Sequence, residues 1–342
     1  MRGKEIMKKS VVTGAVCALV IAAAGCGNSD VQGNEGGVTT QPISESGVNT
    51  AETGGNSAQQ TDNAQSENQS EDKAEGQSGN SSEAAGDLYE AFKQGKASVK
   101  YRGTGDRTSY LDTTAALIID ESFTIDEIVN AIEARNEDMD LKLSSDVEYS
   151  MIDCGSDGVQ ELLAQAHFGD EFTLNMIIKE IGGELVMCWD QDSWSRSYVD
   201  VKNNGVIEGG GSGGAAVHST EYAYVDASGD YKFYYGCEET LTLYGDFYAF
   251  KGNDLATIPT EGLDVDHLGI WDYYFEADPM SREHYYSYFV IDDNFNDVTT
   301  DADYDDSNEL KKRFTDAGIK TYTKSEIDQM LKDRATQIGY TF

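Results

Sequence analysis

The first 88 residues contain no tyrosine, phenylalanine or tryptophan, although the whole chain carries 20, 12 and 3 of them. Aromatic side chains are the largest apolar payload a core can bury. Residues 27–86 are built mainly from Gly, Ser, Asn, Gln, Thr, Ala and acidic residues, with Lys73 as their one lysine. Such a stretch cannot bury enough apolar surface to offset the entropy of ordering its backbone. Any packed fold must therefore be made from Tyr89 onward. The composition divides the chain into residues 1–25, 26–86 and 87–342.

Residues 1–25 read as a secretory signal. Arg2, Lys4, Lys8 and Lys9 form a positive start, and Val11 to Ala24 is a mostly apolar run too short to span a bilayer core. It ends in Ala23-Ala24-Gly25-Cys26, which resembles the bacterial lipobox. That resemblance implies cleavage before Cys26 and acylation of its thiol and new amino group. Ala23 stands where leucine is usual. A plain signal cut near Ala24, leaving Cys26 as an ordinary thiol, is the alternative. Acyl chains on Cys26 would make the lipid bilayer a partner and anchor the chain without spanning, each buried methylene contributing about 0.8 kcal/mol. Residues 26–86 then read as a disordered polar tether, whose flexible length gives a root-mean-square reach of about 40 Å. The expected location is the extracellular face of the cell membrane.

Charge narrows the partners. With 62 acidic and 25 basic side chains the net charge is −37. That makes the chain a poor candidate for nucleic-acid binding, and no nucleic-acid partner is expected, because binding polyphosphate needs a basic footprint to displace counterions.

Residues 87–342 read as one globular α+β domain, an antiparallel β meander flanked by N-terminal and C-terminal helices. A short helix is expected over Asp87–Lys93. A second, over Ile125–Arg135, has Thr124 as N-cap and Glu127 completing a capping box. From Val147 the apolar period changes to two. Strands follow around Val147–Met151, then at Glu161–Phe168, Phe172–Ile181, Glu184–Trp189, Tyr222–Val225, Tyr231–Gly236 and Thr240–Phe250. Gly182-Gly183 and Asn203-Asn204-Gly205 supply turns. A helix capped by Ser307 and another capped by the Thr323/Glu326 box close the chain. Short strands joined by turns disfavour the alternating architecture of a transporter's solute-binding protein.

The segment most suggestive of chemistry runs from Tyr149 through Asp153, Asp157, Gly158 and Glu161 to Leu162. Carboxylates on a sharply turned loop suit Ca²⁺, and Gly158 permits the positive φ of such a turn. Asp153, Asp157 and Glu161 are thus candidate ligands; the bland reading is a hairpin turn in which Asp157-Gly158 supplies only geometry. Here the chain resembles uncharacterised clostridial-type bacterial lipoproteins, whose loop reads Tyr-x-x-x-Asp-x-Asp/Asn-x-Asp-Gly-x-x-Glu-Leu. Gly155 replaces the third-position ligand. The resemblance covers the lipobox, the tether, this hairpin and loosely the C-terminal capping-box helix, and implies no activity. The same Glu-Tyr-x-x-apolar-Asp-x-x-x-Asp spacing recurs from Glu221 to Asp230. A second acidic loop offers Asp301, Asp303, Asp305 and Glu309 as a weaker cation set; a solvated loop is the simpler reading.

Other patterns carry little. Gly209–Gly214 satisfies two glycine-rich motifs, but it lies in a β-rich region and reads as a flexible loop. The four histidines have no zinc-ligand spacing. Cys154, Cys188 and Cys237 are an odd number, so one disulfide or only free thiols are open. The aromatic runs Trp271–Phe275 and Tyr285–Phe289 read as packed faces before they read as a binding groove. No catalytic set stands out. The leading expectation is a surface lipoprotein binding an unidentified cell-surface or extracellular ligand, with Ca²⁺ as its only cofactor candidate. The alternative is a secreted hydrolase of wall or dietary polymer, whose Asp/Glu pair the sequence does not single out.

Overall fold

A computed structural model describes residues 78–104 and 109–340. The signal, the lipidation candidate Cys26 and the tether up to residue 77 lie outside the described residues. The fold class is α+β, as expected: two antiparallel-rich sheets with helices near each end.

Helix α1 spans Ser78–Lys93, so it begins within the stretch read as tether. Its anchoring end is apolar, with Ala85, Tyr89 and Phe92 buried, and propagation adds turns upstream once such an end is fixed. Strand β1 (Val99–Tyr101), the short helix α2 (Thr113–Ala116) and strand β2 (Ser122–Phe123) follow. Helix α3 spans Ile125–Arg135 with the expected capping box, Thr124 and Glu127 bonding reciprocally. Its stripe Ile125, Ile128 and Ile132 is buried.

The meander begins with β3 (Glu148–Ile152), β4 (Glu161–Phe168), β5 (Phe172–Ile181) and β6 (Glu184–Ser193). Together with β1 and β2 they form one sheet in the order β2-β1-β6-β5-β4-β3. All pairs are antiparallel except β1 with β6. Then come β7 (Ser197–Val201), β8 (Val206–Ser212), β9 (Val217–Val225), β10 (Tyr231–Leu241), the hairpin β11 (Phe247–Lys251) and β12 (Asp254–Ile258), β13 (Leu268–Tyr274) and β14 (Tyr285–Val290). The second sheet has the order β14-β13-β10-β9-β8-β7. Helices α4 (Glu309–Asp316) and α5 (Lys324–Ile338) end the chain, α5 with the expected Thr323/Glu326 box.

Three expectations shift. The strand expected over Thr240–Phe250 is broken, because Thr242 and Gly245 take positive φ (53° and 75°) between β10 and β11. The cap of α4 is Asn308 rather than Ser307, its side chain accepting from Leu310 N and Lys311 N. The glycine run is not a loop: Gly209, Gly210 and Gly211 lie in β8. A Cβ at Gly210 would meet the Tyr198 ring at 2.6 Å and the Ser219 carbonyl at 2.8 Å, so glycine lets β7 and β9 close over it.

The layers follow from strand alternation. One face of the first sheet (Leu162, Ala164, Leu174, Met176, Met187) packs with Phe92, Ile128 and Ile132 of the helices. Its other face (Leu163, Ile177, Trp189) meets Ile207, Ala223, Val225 and Phe233 of the second sheet. Helix α5 docks on the far face of the second sheet, where Arg334 donates to the Phe233 and Phe275 carbonyls and Tyr224 Oη donates to Ile338 O. The hairpin β11–β12 and α4 cover the β13–β14 end through Ala249, Ile258, Ile270, Tyr286, Tyr288 and Phe314. In the second aromatic run Tyr286, Tyr288 and Phe289 are buried, as expected, whereas in the first only Tyr274 is.

Candidate functional site

The loop residues of the first cation candidate separate. The Gly158 N–H donates to both Asp153 carboxylate oxygens at 3.1 Å, and the Val159 N–H donates to Asp157 at 2.8 Å. These are the local bonds by which Asp shapes a turn, and Gly158 takes the expected positive φ, 83°. Glu161 leaves this group. Its side chain is fully buried, forms an ion pair with Lys179, and accepts the Cys154 N–H at 2.7 Å. Burial works against the Lys179 charge, but the Glu161 carboxylate outweighs it and holds Lys179 above its ordinary value. The equivalent turn after β9 is built likewise, Asp226 accepting from Ser228 N and Asp230 N.

The second acidic loop is also internally bonded. Asp303 accepts from the Thr300 N–H and hydroxyl, Glu309 pairs with Arg313, and Asp301 and Asp305 are exposed. Among the described residues, no group of three or more His, Cys, Asp or Glu is arranged to hold a metal ion. Cys154, Cys188 and Cys237 are free thiols. Burial is the main cause that pushes Cys188 up to about 11 and Cys237 up to about 12.

The structure brings a different set of residues together. The first sheet covers the half of the second that carries Ala223, Val225 and Phe233, while the hairpin covers the β13–β14 end. Between them the sandwich opens into a cleft of about 350 Å³. Gln191 and Asp192 enter from the end of β6, Trp194 and Arg196 from the tight β6–β7 turn, and Glu221 and Glu238 from β9 and β10. Tyr110 forms the outer wall with Trp194, their ring centroids 4.9 Å apart.

Two carboxyl groups on the floor have opposite surroundings. Glu221 accepts the Tyr274 hydroxyl at 2.7 Å and Arg282 Nη2 at 3.1 Å. The guanidinium lies 3.8 Å from the centroid of the Tyr274 ring and also donates to the Glu276 and Ala277 carbonyls, which locks it in place. Glu238 is exposed to solvent where it lines the cleft. Desolvation first, and then Asp272 beside it, raises its carboxyl above the ordinary range, against smaller opposing effects of His284 and Arg282. Asp272 is in turn bonded to His284 Nδ1 at 2.8 Å, and Phe250 stacks on that imidazole at 4.5 Å. Asp272 Oδ1 is buried without a hydrogen bond. Asp192 is raised as well, chiefly by burial, while the Leu111 N–H donating at 2.6 Å works against the shift.

Sequence reasoning misses this cleft, although one signal existed. Glu221 stands in phase with Ala223 and Val225, both buried on the inner face of β9. An acid in register with core positions marks where a packed face gives way to a polar one. Glu238 carries no such signal, because the register shift between Phe233 and Tyr235 changes the phase of β10. No family model, curated protein or solved structure matches the chain. Among the described residues, no helix is long and apolar enough to cross a membrane.

Proposed function

We propose that this is a membrane-anchored surface lipoprotein whose globular part binds a polyhydroxylated extracellular ligand, a glycan, in the cleft between its sheets. The observation that carries the reading is the make-up of the cleft. An aromatic pair, Tyr110 and Trp194, lines it together with the polar residues Gln191, Ser219, Glu221 and Arg282, the last two bonded to each other. An aromatic ring covers the apolar face of a sugar, while carboxylates, amides and guanidinium groups pair with its hydroxyls. Binding sites in general combine an apolar surface with a few polar groups that fix orientation. The lipobox ending in Cys26 and the tether support an extracellular setting, in which such ligands are abundant.

The test is a glycan array that includes cell-wall glycan strands, probed with the full chain and with Trp194→Ala. The reading expects retained signal on a subset of glycans for the natural chain and its loss in the variant at unchanged melting temperature. Equal signal from both proteins, or none from the natural chain, would sink it.

A further inference from the structure

We infer that the cleft also hydrolyses a glycosidic bond, with Glu238 donating the proton to the leaving oxygen and Glu221 accepting the proton of the attacking water. The inference rests on the cleft being the ligand site and goes beyond it by assigning a reaction.

The register of the second sheet supplies the geometry. Glu221 pairs with Gly236 and Glu238 pairs with Ser219, on adjacent antiparallel strands. The two acids are therefore diagonal neighbours, and both line the cleft. Diagonal positions on one face put long side chains within reach of one another across the same floor. Hydrolysis by direct attack of water needs such a pair, one acid and one base, flanking the sugar ring with room for the water.

Chemical asymmetry supplies the roles. Glu221 accepts a phenol O–H and a guanidinium N–H, so its carboxyl is set as an acceptor, as a base requires. Glu238 receives neither and has Asp272 next to it, which favours the protonated form, as an acid requires. Two carboxyl groups in one cleft with such different partners are the usual arrangement for acid and base. Behind Glu238, Asp272 is bonded to His284 Nδ1, and Phe250 stacks on that imidazole.

The step balances with water as its only co-reactant. Glu238 gives its proton to the glycosidic oxygen as the bond from that oxygen to the anomeric carbon breaks. Water forms the new bond to that carbon from the opposite face and loses a proton to Glu221. Solvent exchange then returns the proton from Glu221 to Glu238, and two shorter saccharides leave.

The experiment uses the purified full chain on the polysaccharides that the array identifies, with release of new reducing ends as the readout. Glu238→Gln and Glu221→Gln are run alongside, with melting temperature and array binding measured for each. The expected result is turnover by the natural chain that falls about a hundred- to ten-thousand-fold in each variant, with the melting temperature kept in both and array binding kept in Glu238→Gln. A dinitrophenyl glycoside of the same sugar, whose leaving group needs no proton, should rescue Glu238→Gln and not Glu221→Gln. Binding without turnover in the natural chain would overturn the inference and leave the ligand site standing. Turnover unaffected by either substitution would also overturn it. Absence of both binding and turnover would remove the ligand site itself.

Discussion

Replacing Lys179 with methionine tests the buried ion pair on which the centre of the first sheet depends. Glu161 has no solvent exposure, and its carboxylate is held by Lys179 on one side and by the Cys154 N–H on the other. Lys179→Met keeps the length of the apolar stem and removes the charge, leaving a carboxylate in an apolar setting with one neutral donor. Breaking a buried pair in this way costs about 3–5 kcal/mol. For a domain of this size that is a melting-point drop on the order of 10 °C. The pH dependence has a defined sign. Lys179 is held above its ordinary 10.5, so in the natural chain its contribution is fully present below 10.5 and is lost only as pH rises through the higher folded value. In the variant the Glu161 carboxylate is buried without its counter-charge, so the added instability is larger at neutral than at acid pH. Glu161→Gln/Lys179→Met removes both charges, keeps an acceptor for Cys154, and should recover most of the loss. Urea melts of the three proteins at pH 5 and pH 8 provide the assay. A single-variant loss below about 1 kcal/mol, the size expected of an exposed pair, would refute the reasoning. So would a loss that is the same at both pH values.

Three further expectations can be checked quickly. Cys154 and Cys188 are fully buried and their thiols are raised by burial, so pulse alkylation at pH 8 with peptide-level mass spectrometry should leave both unlabelled until denaturant is added. Rapid labelling of either in the native chain would contradict their placement. The Asp153–Asp157 turn is closed by its own backbone bonds and Glu161 is engaged elsewhere, so melts in EDTA and in millimolar Ca²⁺ should agree within about a degree. A calcium at a hundred times its dissociation constant would add about 2.7 kcal/mol, and a shift of that size abolished by Asp153→Ala/Asp157→Ala would establish the cation site. Cys26→Ala should move the chain from the membrane fraction to the soluble fraction; unchanged membrane association would remove the lipid anchor.

Local signals were legible because their causes are local. Strands β4 and β5 lie over Glu161–Phe168 and Phe172–Ile181 as the period-two pattern predicts, and two capping boxes fall on their expected residues. What the sequence leaves out is long-range. The parallel pairing of Val99–Tyr101 with Leu185–Met187 joins segments far apart in the chain, and no local pattern announces it. The cleft is of the same kind: Gln191, Glu221, Glu238 and Arg282 come from separate strands and a loop, and their meeting depends on sheet register and on the bulge at Tyr234. Glu161 shows the converse. Its motif position suggested a loop ligand, but as the first residue of β4 it points into the sandwich, where Lys179 claims it.

The central claim is that ligand enters between the two sheets rather than at the exposed hairpin carrying Tyr248, Phe250 and Leu255. Hydrogen exchange with peptide-level resolution, on the full chain with and without a glycan that the array selects, tests it most directly. The account predicts that protection on binding concentrates in residues 191–198, 209–221 and 236–239. Protection confined to residues 247–258, or spread with no focus on the cleft, would contradict it.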